Sequence, residues 1–147
     1  AEGRFQPFLA KNPGLESGYM LAHVTASALA SENKTLAHPA SVDSIPTSGG
    51  QEYLVSMAPW AGSKLLKIQD NVSNILAIEL LIAGAAYKLN NSKLKPGKGT
   101  GLILKDIKHI IRSDMADREL SSEINSLKSV IDDGKIFKKL KNKGYLE

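Results

Sequence analysis

The side chain with the clearest chemical potential is the carboxylate of Glu52, which closely follows the pair Gly49-Gly50. A carboxylate beside a Gly-Gly turn can project from the backbone into a cavity. There it would pair with an amine or an imidazolium, because opposite charges at short range stabilise each other's ionised forms. The residue types leave a second interpretation open. A glutamate in the first turn of a helix is also favoured by the helix dipole.

Other common arrangements for catalysis or metal binding are missing from the sequence. It contains no cysteine, which excludes a thiolate metal site and a cysteine nucleophile. The three histidines, His23, His38 and His109, lack the close spacing of a metal site. The glycine-rich run 97–101 lacks the spacing of a phosphate-binding loop. We therefore expect no metal ion in this chain.

Hydrophobic periodicity predicts an all-α chain. Residues 18–33, GYMLAHVTASALASEN, are rich in alanine and almost uncharged, so we expect a helix that is buried on most sides. The following segment, 34–53, carries prolines and a Gly-Gly pair among serines and threonines, which predicts an irregular loop. Its apolar residues Leu36, Val42 and Ile45 predict that this loop is ordered and packed.

One long helix, or two collinear ones, is predicted from about 51 to 91, because apolar residues recur there at three- and four-residue intervals. Pro59 lacks a backbone donor and should kink or restart this helix near its beginning. Two shorter helices are predicted at 102–115 and 120–133, in a helical C-terminal region at about 102–141. A helix as long as the first one exceeds what a small globule needs, and predicts packing against helices from elsewhere.

Composition and charge bear on where the protein is located and on whether it binds nucleic acid or membranes. The chain has 147 residues and a net charge of +4. Five lysines lie within 135–143, but no aromatic platform for stacking on bases accompanies them. We therefore expect these lysines to form the solvated end of a helix and not to bind nucleic acid. No signal peptide precedes the chain's apolar segments, and the longest of these, 75–86, is interrupted by Glu79 and too short to span a bilayer. These features predict a cytoplasmic protein without a membrane contact.

Four segments in order carry a resemblance to a known family. They are PFLAKNPGLESGYM at 7–20, ALASENKTLAHPASVDSIPTS at 28–48, QEYLVSM at 51–57, and LKPGKGTGLILKDIKHIIRSDMADRELSSEI at 94–124. Together they resemble the histidine and aromatic amino acid ammonia-lyases, most closely the histidine-specific members. The resemblance extends over almost the whole chain, and it implies the helical-bundle fold of these enzymes.

The resemblance implies a reaction and a set of site residues. These enzymes eliminate ammonia from an α-amino acid to give an α,β-unsaturated acid, which is urocanate when the substrate is L-histidine. Their electrophile is 4-methylideneimidazol-5-one (MIO), formed from an internal Ala-Ser-Gly triad. The position of Glu52 is glutamate in the histidine-specific members, so the resemblance makes it the catalytic, substrate-contacting residue. It makes Gln51 and Ser48 substrate-binding neighbours.

The resemblance also implies what the chain needs from outside. Relatives are homotetramers whose long helices form a central bundle, and the matching segments come from the C-terminal part of the enzyme. No Ala-Ser-Gly triad occurs in the 147 residues. We therefore expect the chain alone to be inactive, to require an N-terminal portion that supplies the cofactor, and to form a homo-oligomer.

Departures from the family pattern leave two alternatives open. Gly50, Tyr53 and Leu54 stand where asparagine, aspartate and histidine are usual, and Trp60 stands where a small or polar residue is common. One alternative is a lyase or aminomutase that acts on another aromatic amino acid. The other is a non-catalytic helical interaction module, or a split-enzyme subunit that must meet an N-terminal partner.

Overall fold

The computed structural model describes residues 5–90, 94–112 and 116–146. These residues form five α-helices and no β-strand, which confirms the all-α prediction. The helices are α1 (Met20–Leu36), α2 (Ala58–Leu89), α3 (Lys98–Ile107), α4 (Ser121–Asp132) and α5 (Lys135–Asn142). Three single turns of 3-10 helix lie at Pro7–Leu9, Ala40–Val42 and Ser48–Gly50.

The long helix α2 is the axis of the fold. Its 32 residues extend about 48 Å at 1.5 Å per residue. The predicted start at Gln51 is wrong, because the helix begins at Ala58. Pro59 lies in its first turn, where a missing backbone donor breaks no helical hydrogen bond, so the proline starts the helix and does not kink it. The predicted helix ends at Asn91 and Met115 lie outside the described residues.

The core lies where the C-terminal half of α2 meets α3 and α4. Leu81, Ile107 and Leu127, one from each helix, are almost completely buried there. Leu9 and Tyr19 from the N-terminal segment close the same cluster. Burial of aliphatic side chains is the main stabilising contribution in a chain with so few aromatic residues.

Helix α1 packs on α2, but the prediction that it is buried on most sides is wrong for the described chain. Only Ala22 is buried within it, whereas Leu21 and Val24 are exposed. Among the described residues, α2 is the one helix against which α1 packs extensively. The helix also extends to Leu36, three residues beyond the predicted end.

The C-terminal region contains three short helices where two were predicted. Helix α3 begins earlier than expected, at Lys98, and ends at Ile107. Gly134 has a positive φ of 63°, a conformation that glycine adopts without steric cost, and it separates α4 from α5. The clustered lysines therefore form a helix of their own, α5.

A large apolar surface of α2 remains open. Leu65, Leu66 and Trp60 are exposed near its start, and Leu76 is exposed further along. By length and composition alone the helix is apolar enough to cross a membrane, a property that core helices of large helical proteins share. Only 28% of its most apolar stretch is buried by the described residues. The described residues therefore leave much of the apolar surface of α2 uncovered.

The residues just before α1 are held by a side chain about a hundred positions later in the chain. The helix has no capping side chain of its own. Instead the carboxylate of Asp117 accepts hydrogen bonds from the backbone N–H groups of Ser17 (2.9 Å) and Gly18 (2.8 Å), just before the helix. A carboxylate is favoured there by the helix dipole as well as by the unpaired donors.

Arg118 connects this N-terminal segment to α4. Its Nε donates to Oε1 of Glu123 at 2.7 Å, and its Nη2 donates to Oε2 of Glu123 at 3.2 Å and to the hydroxyl of Tyr19 at 3.0 Å. Glu123 also accepts from the backbone N–H of Arg112 at 3.1 Å. The side chains of Arg118 and Glu123 are only 10% and 6% exposed, so this is a buried, fully hydrogen-bonded ion pair.

The ion pair makes stability depend on pH. Burial by itself raises the pKa of Glu123, but the hydrogen bonds from Arg118 and Arg112 and their positive charges outweigh it, and the net pKa is lowered. The unfolded chain, with an ordinary glutamate pKa of about 4.3, then binds more protons than the folded chain in the acid range. Stability therefore falls as the pH drops through this window.

We expect Glu123→Gln to make the free energy of unfolding depend less steeply on pH in the acid range. In wild type the contribution is fully present above about pH 5 and is lost as the pH falls through the lowered pKa. Urea unfolding at a series of pH values from about 3 to 7 measures the slope. Glu79→Gln, which alters an exposed glutamate of α2, serves as the control and should keep the wild-type slope. Equal slopes for wild type and Glu123→Gln would contradict the assignment.

Gly18 is a position where only glycine fits. Its φ is +53°, and a Cβ there would lie 2.5 Å from the carbonyl oxygen of Phe8. That oxygen accepts the backbone N–H of Tyr19 at 2.9 Å, so it cannot move away freely. We expect Gly18→Ala to lower the free energy of unfolding by about 2–4 kcal/mol, measured by urea unfolding. Gly14→Ala, with positive φ but open space, should lose only about 1 kcal/mol.

Candidate functional site

The segment between α1 and α2, residues 37–57, forms a loop held by hydrogen bonds. The backbone N–H of Ala37 donates to the carbonyl of Asn33 (2.9 Å) at the end of α1. Further along, the backbone N–H of Val55 donates to Oγ of Ser44 at 3.0 Å and closes the base of the loop. The prediction of a loop packed by apolar residues is wrong for Val42 and Ile45, which are 73% and 60% exposed. Leu36 is half-buried at the end of α1.

The tip of the loop is a tight turn between Thr47 and Glu52. The two residues pair through their backbones, with N···O distances of 3.0 Å and 3.4 Å. Ser48, Gly49 and Gly50 between them all have positive φ, at 56°, 65° and 87°. Glycine adopts this conformation readily, whereas a serine there is strained. The Gly-Gly pair therefore allows the chain to reverse direction and to bring Glu52 back beside Thr47.

Glu52 is oriented by the residue across the turn. Its Oε2 accepts a hydrogen bond from the hydroxyl of Thr47 at 2.9 Å. Glu52 is exposed and lies six residues before α2, so it is not in the first turn of a helix. The interpretation of Glu52 as a residue that stabilises the helix dipole is therefore wrong. Sequence reasoning missed Thr47, because only the geometry of the turn places its hydroxyl beside the carboxylate.

The structure brings the three predicted site residues onto one turn. Ser48 begins its 3-10 segment, Gln51 follows that segment directly, and Glu52 closes the turn. All three are exposed, as are the neighbouring Tyr53 and Leu54. The arrangement presents a hydroxyl, an amide and a carboxylate outward from a short, constrained segment.

The described residues do not enclose these groups. Two cavities of about 250 Å³ and about 270 Å³ lie against α2, one beside α3 and the other beside α4. Residues of the loop line neither of them. Within the described ranges no group of three or more His, Cys, Asp or Glu side chains is placed to hold a metal ion. The turn therefore lies outside both of these cavities.

Comparison with known proteins identifies the family. A model of the aromatic amino acid lyase family matches residues 1–109, which include α1, the whole loop and α2. This chain belongs to the aromatic amino acid lyase family. The loop with Ser48, Gln51 and Glu52 lies within the residues that the family model matches.

Curated relatives of this lyase chain are histidine ammonia-lyases. The protein from Burkholderia multivorans is 54% identical over 114 residues, which cover 78% of this chain and 21% of the relative. The protein from Caldanaerobacter subterraneus is 44% identical over 140 residues, which cover 95% of this chain and 27% of the relative. The chain thus spans between a fifth and a third of the length of these relatives.

Solved structures with the same fold include two enzymes. The crystal structure of histidine ammonia-lyase from Trypanosoma cruzi matches with a TM-score of 0.88 and 38% identity, over 98% of this chain and 28% of the other. The structure of tyrosine aminomutase from Streptomyces globisporus matches with a TM-score of 0.81 and 25% identity, over 89% of this chain and 25% of the other. The match to histidine ammonia-lyase extends over nearly the whole chain and so includes the loop between α1 and α2.

Proposed function

We propose that this chain is the part of a histidine ammonia-lyase that supplies Glu52 to the substrate-binding site. The observation that carries the proposal is the geometry of the turn. Glu52 follows a tight turn that contains the Gly-Gly pair, and its carboxylate is oriented by a hydrogen bond from Thr47. It does not lie in the first turn of a helix, so it does not stabilise a helix dipole. Among the described residues its carboxylate accepts a hydrogen bond from the neutral hydroxyl of Thr47, an interaction that does not itself require a charged acceptor.

The reaction is the elimination of ammonia from L-histidine. The carbon–nitrogen bond at Cα breaks, a proton leaves Cβ, and a carbon–carbon double bond forms, so the products are urocanate and ammonia. In this proposal Glu52 accepts a hydrogen bond from an imidazole N–H, or pairs with the imidazolium. Gln51 and Ser48 contribute an amide and a hydroxyl to the same side of the substrate.

The electrophilic cofactor of the family, MIO, is not assigned to residues of this chain. The 147 residues contain no Ala-Ser-Gly triad from which it would form. The exposed turn also offers no enclosed cradle for such a group among the described residues. MIO, when present in the complete site, supplies the electrophile that activates the amino acid. The contribution proposed for this chain is limited to binding and orienting the substrate.

Assembly with further lyase chains is part of the proposal. Helix α2 leaves Trp60, Leu65 and Leu66 exposed, and α1 leaves Leu21 and Val24 exposed. Surfaces of this size and apolar character are stable in water when other helices cover them. We infer that they form the contact with the N-terminal portion of the lyase and with further copies in a homotetramer.

A complementation assay tests the proposed function. The Burkholderia multivorans relative, shortened by the segment that this chain matches, is produced with and without the 147-residue chain. We expect urocanate from histidine only when both polypeptides are present, because neither alone has all the groups of the site. Urocanate formation by the 147-residue chain alone would contradict the requirement for a second polypeptide. No urocanate from two folded polypeptides that co-purify would contradict the proposed function.

A second candidate is an aminomutase acting on another aromatic amino acid. Two observations favour it: the structural likeness to tyrosine aminomutase, and the unusual residues Gly50, Tyr53 and Leu54 beside Glu52. An aminomutase returns the amino group to Cβ, so its product is a β-amino acid. Analysis of the products from histidine, tyrosine and phenylalanine distinguishes the two, since only the lyase releases ammonia in amounts equal to the substrate consumed.

A further inference from the structure

The most unusual buried polar side chain lies in the middle of α2. Asn71 is only 1% exposed. Its Nδ2 donates to Oε2 of Glu32 at 2.7 Å and to Oδ1 of Asn33 at 2.9 Å, both in the last turns of α1. The first of these bonds is charge-assisted and correspondingly strong. Asn71 thus connects the long helix to the residues from which the loop departs.

The orientation of the Asn71 amide is fixed, and it leaves one atom unpaired. A carboxylate can only accept, so Nδ2 and not Oδ1 must face Glu32. As a result Oδ1 of Asn71 is buried without a donor among the described residues. An apolar side chain of the same shape would avoid this unfavourable burial. The benefit of the asparagine must therefore come from the two hydrogen bonds that it donates.

A second side chain of α2 holds the loop on the same face. Lys64 precedes Asn71 by seven residues, two helical turns, and so projects in nearly the same direction. Its Nζ donates to the backbone carbonyl of His38, just after α1 ends. Asn33, one of the partners of Asn71, accepts the backbone N–H of Ala37 through its own carbonyl. The start of the loop is therefore fixed by two neighbouring contacts to one helix.

We propose that Asn71 and Lys64 are positioning residues, which hold the start of the 37–57 loop on α2 and thereby set the position of the Glu52 turn. At the base of the loop the backbone N–H of Val55 donates to Ser44, and α2 starts three residues after Val55. Both ends of the loop are thus attached to one rigid helix. The effect on substrate binding rests on the proposed function, whereas the ordering of the loop does not.

Amide hydrogen exchange of the loop tests the ordering directly in the folded protein. We expect Asn71→Leu and Lys64→Met to accelerate exchange at the amides of Thr47 and Val55 about threefold to tenfold, the effect of losing one or two net hydrogen bonds. Lys64→Arg keeps a donor and should exchange like wild type. Lys67→Met, which changes an exposed lysine of the same helix, is the matched control and should also exchange like wild type.

Two outcomes would overturn the proposal. One is unchanged exchange in the loop for both Asn71→Leu and Lys64→Met. The other is equal acceleration in the loop and along α1 and α2, since that would indicate general destabilisation and not local positioning. Accelerated exchange confined to residues 37–57, with restoration by Lys64→Arg, would support it.

Kinetics in the active assembly separate this proposal from the proposed function. Loosening the Glu52 turn should raise KM for histidine about threefold to tenfold with little change in kcat, because a binding contact is weakened. Loss of folded protein would instead lower the apparent kcat and leave KM unchanged. An unchanged KM together with accelerated exchange would contradict the effect on substrate binding but not the ordering. If wild type does not act on histidine, the proposed function fails, and the exchange result still decides the positioning role.

Discussion

Replacing Arg118 with methionine is expected to lower the free energy of unfolding by about 3–5 kcal/mol, because it leaves the buried carboxylate of Glu123 without its partner. The loss should be this large because Arg118 joins two separate segments. It binds Glu123 of α4, and it lies over the ring of Tyr19, 5.6 Å from the centroid, just before α1. Urea unfolding of the folded chain measures the change.

Two further variants show whether the loss of stability comes from the ion pair or from a general sensitivity of the fold to substitution. Arg118→Met combined with Glu123→Leu removes both charges, and we expect it to recover a large part of the lost stability. Lys135→Met removes an exposed lysine that pairs with Asp133 at 2.6 Å, and should change stability by no more than about 0.5 kcal/mol. If Arg118→Met behaved like Lys135→Met, the buried pair would have no central role in the fold.

Replacing Glu52 with alanine is expected to lower kcat/KM for histidine about tenfold to hundredfold in the active assembly. A hydrogen bond to a charged group contributes about 1.5–3 kcal/mol, and each 1.36 kcal/mol corresponds to a factor of ten. Stability should change little, because Glu52 is exposed and its carboxylate contacts only Thr47 among the described residues. Initial rates of urocanate formation over a range of histidine concentrations measure the effect.

The matched control for this variant is Glu16→Ala. Glu16 also belongs to an ordered loop, and its carboxylate accepts from the backbone N–H of Asn12 at 2.9 Å. It lies before α1, outside the loop that carries Glu52. We expect Glu16→Ala to keep the wild-type kcat/KM. Equal kinetics of wild type and Glu52→Ala would mean that the carboxylate does not contact the substrate.

The parts of the fold that follow local rules were predictable from the sequence. Apolar periodicity predicted α2 and α4, and the density of glycine and proline predicted the loop before α2. The start of α2 was predicted seven residues too early, because Gln51 and Glu52 belong to the tight turn and the helix forms only from Ala58. Pro59 was the better indicator, since proline is favoured in the first turn of a helix.

Contacts between residues far apart in sequence could not be predicted. Asp117 binds the backbone just before a helix that begins almost a hundred residues earlier, and no pattern in either segment indicates this pairing. Nor did any pattern distinguish Asn71 from the other polar residues of α2, yet its carboxamide is buried against α1. For the site, residue types predicted Glu52, whereas Thr47 as its partner required the geometry of the turn.

The most direct test of the central claim is the substrate preference of the active assembly that contains this chain. The measurement is kcat/KM for histidine relative to phenylalanine, in wild type and in Glu52→Gln. If Glu52 binds the imidazole, wild type should prefer histidine, and the variant should lose that preference by about tenfold or more, because an uncharged amide cannot pair with an imidazolium. An identical preference in wild type and Glu52→Gln would contradict the assignment of Glu52 as the residue that recognises histidine.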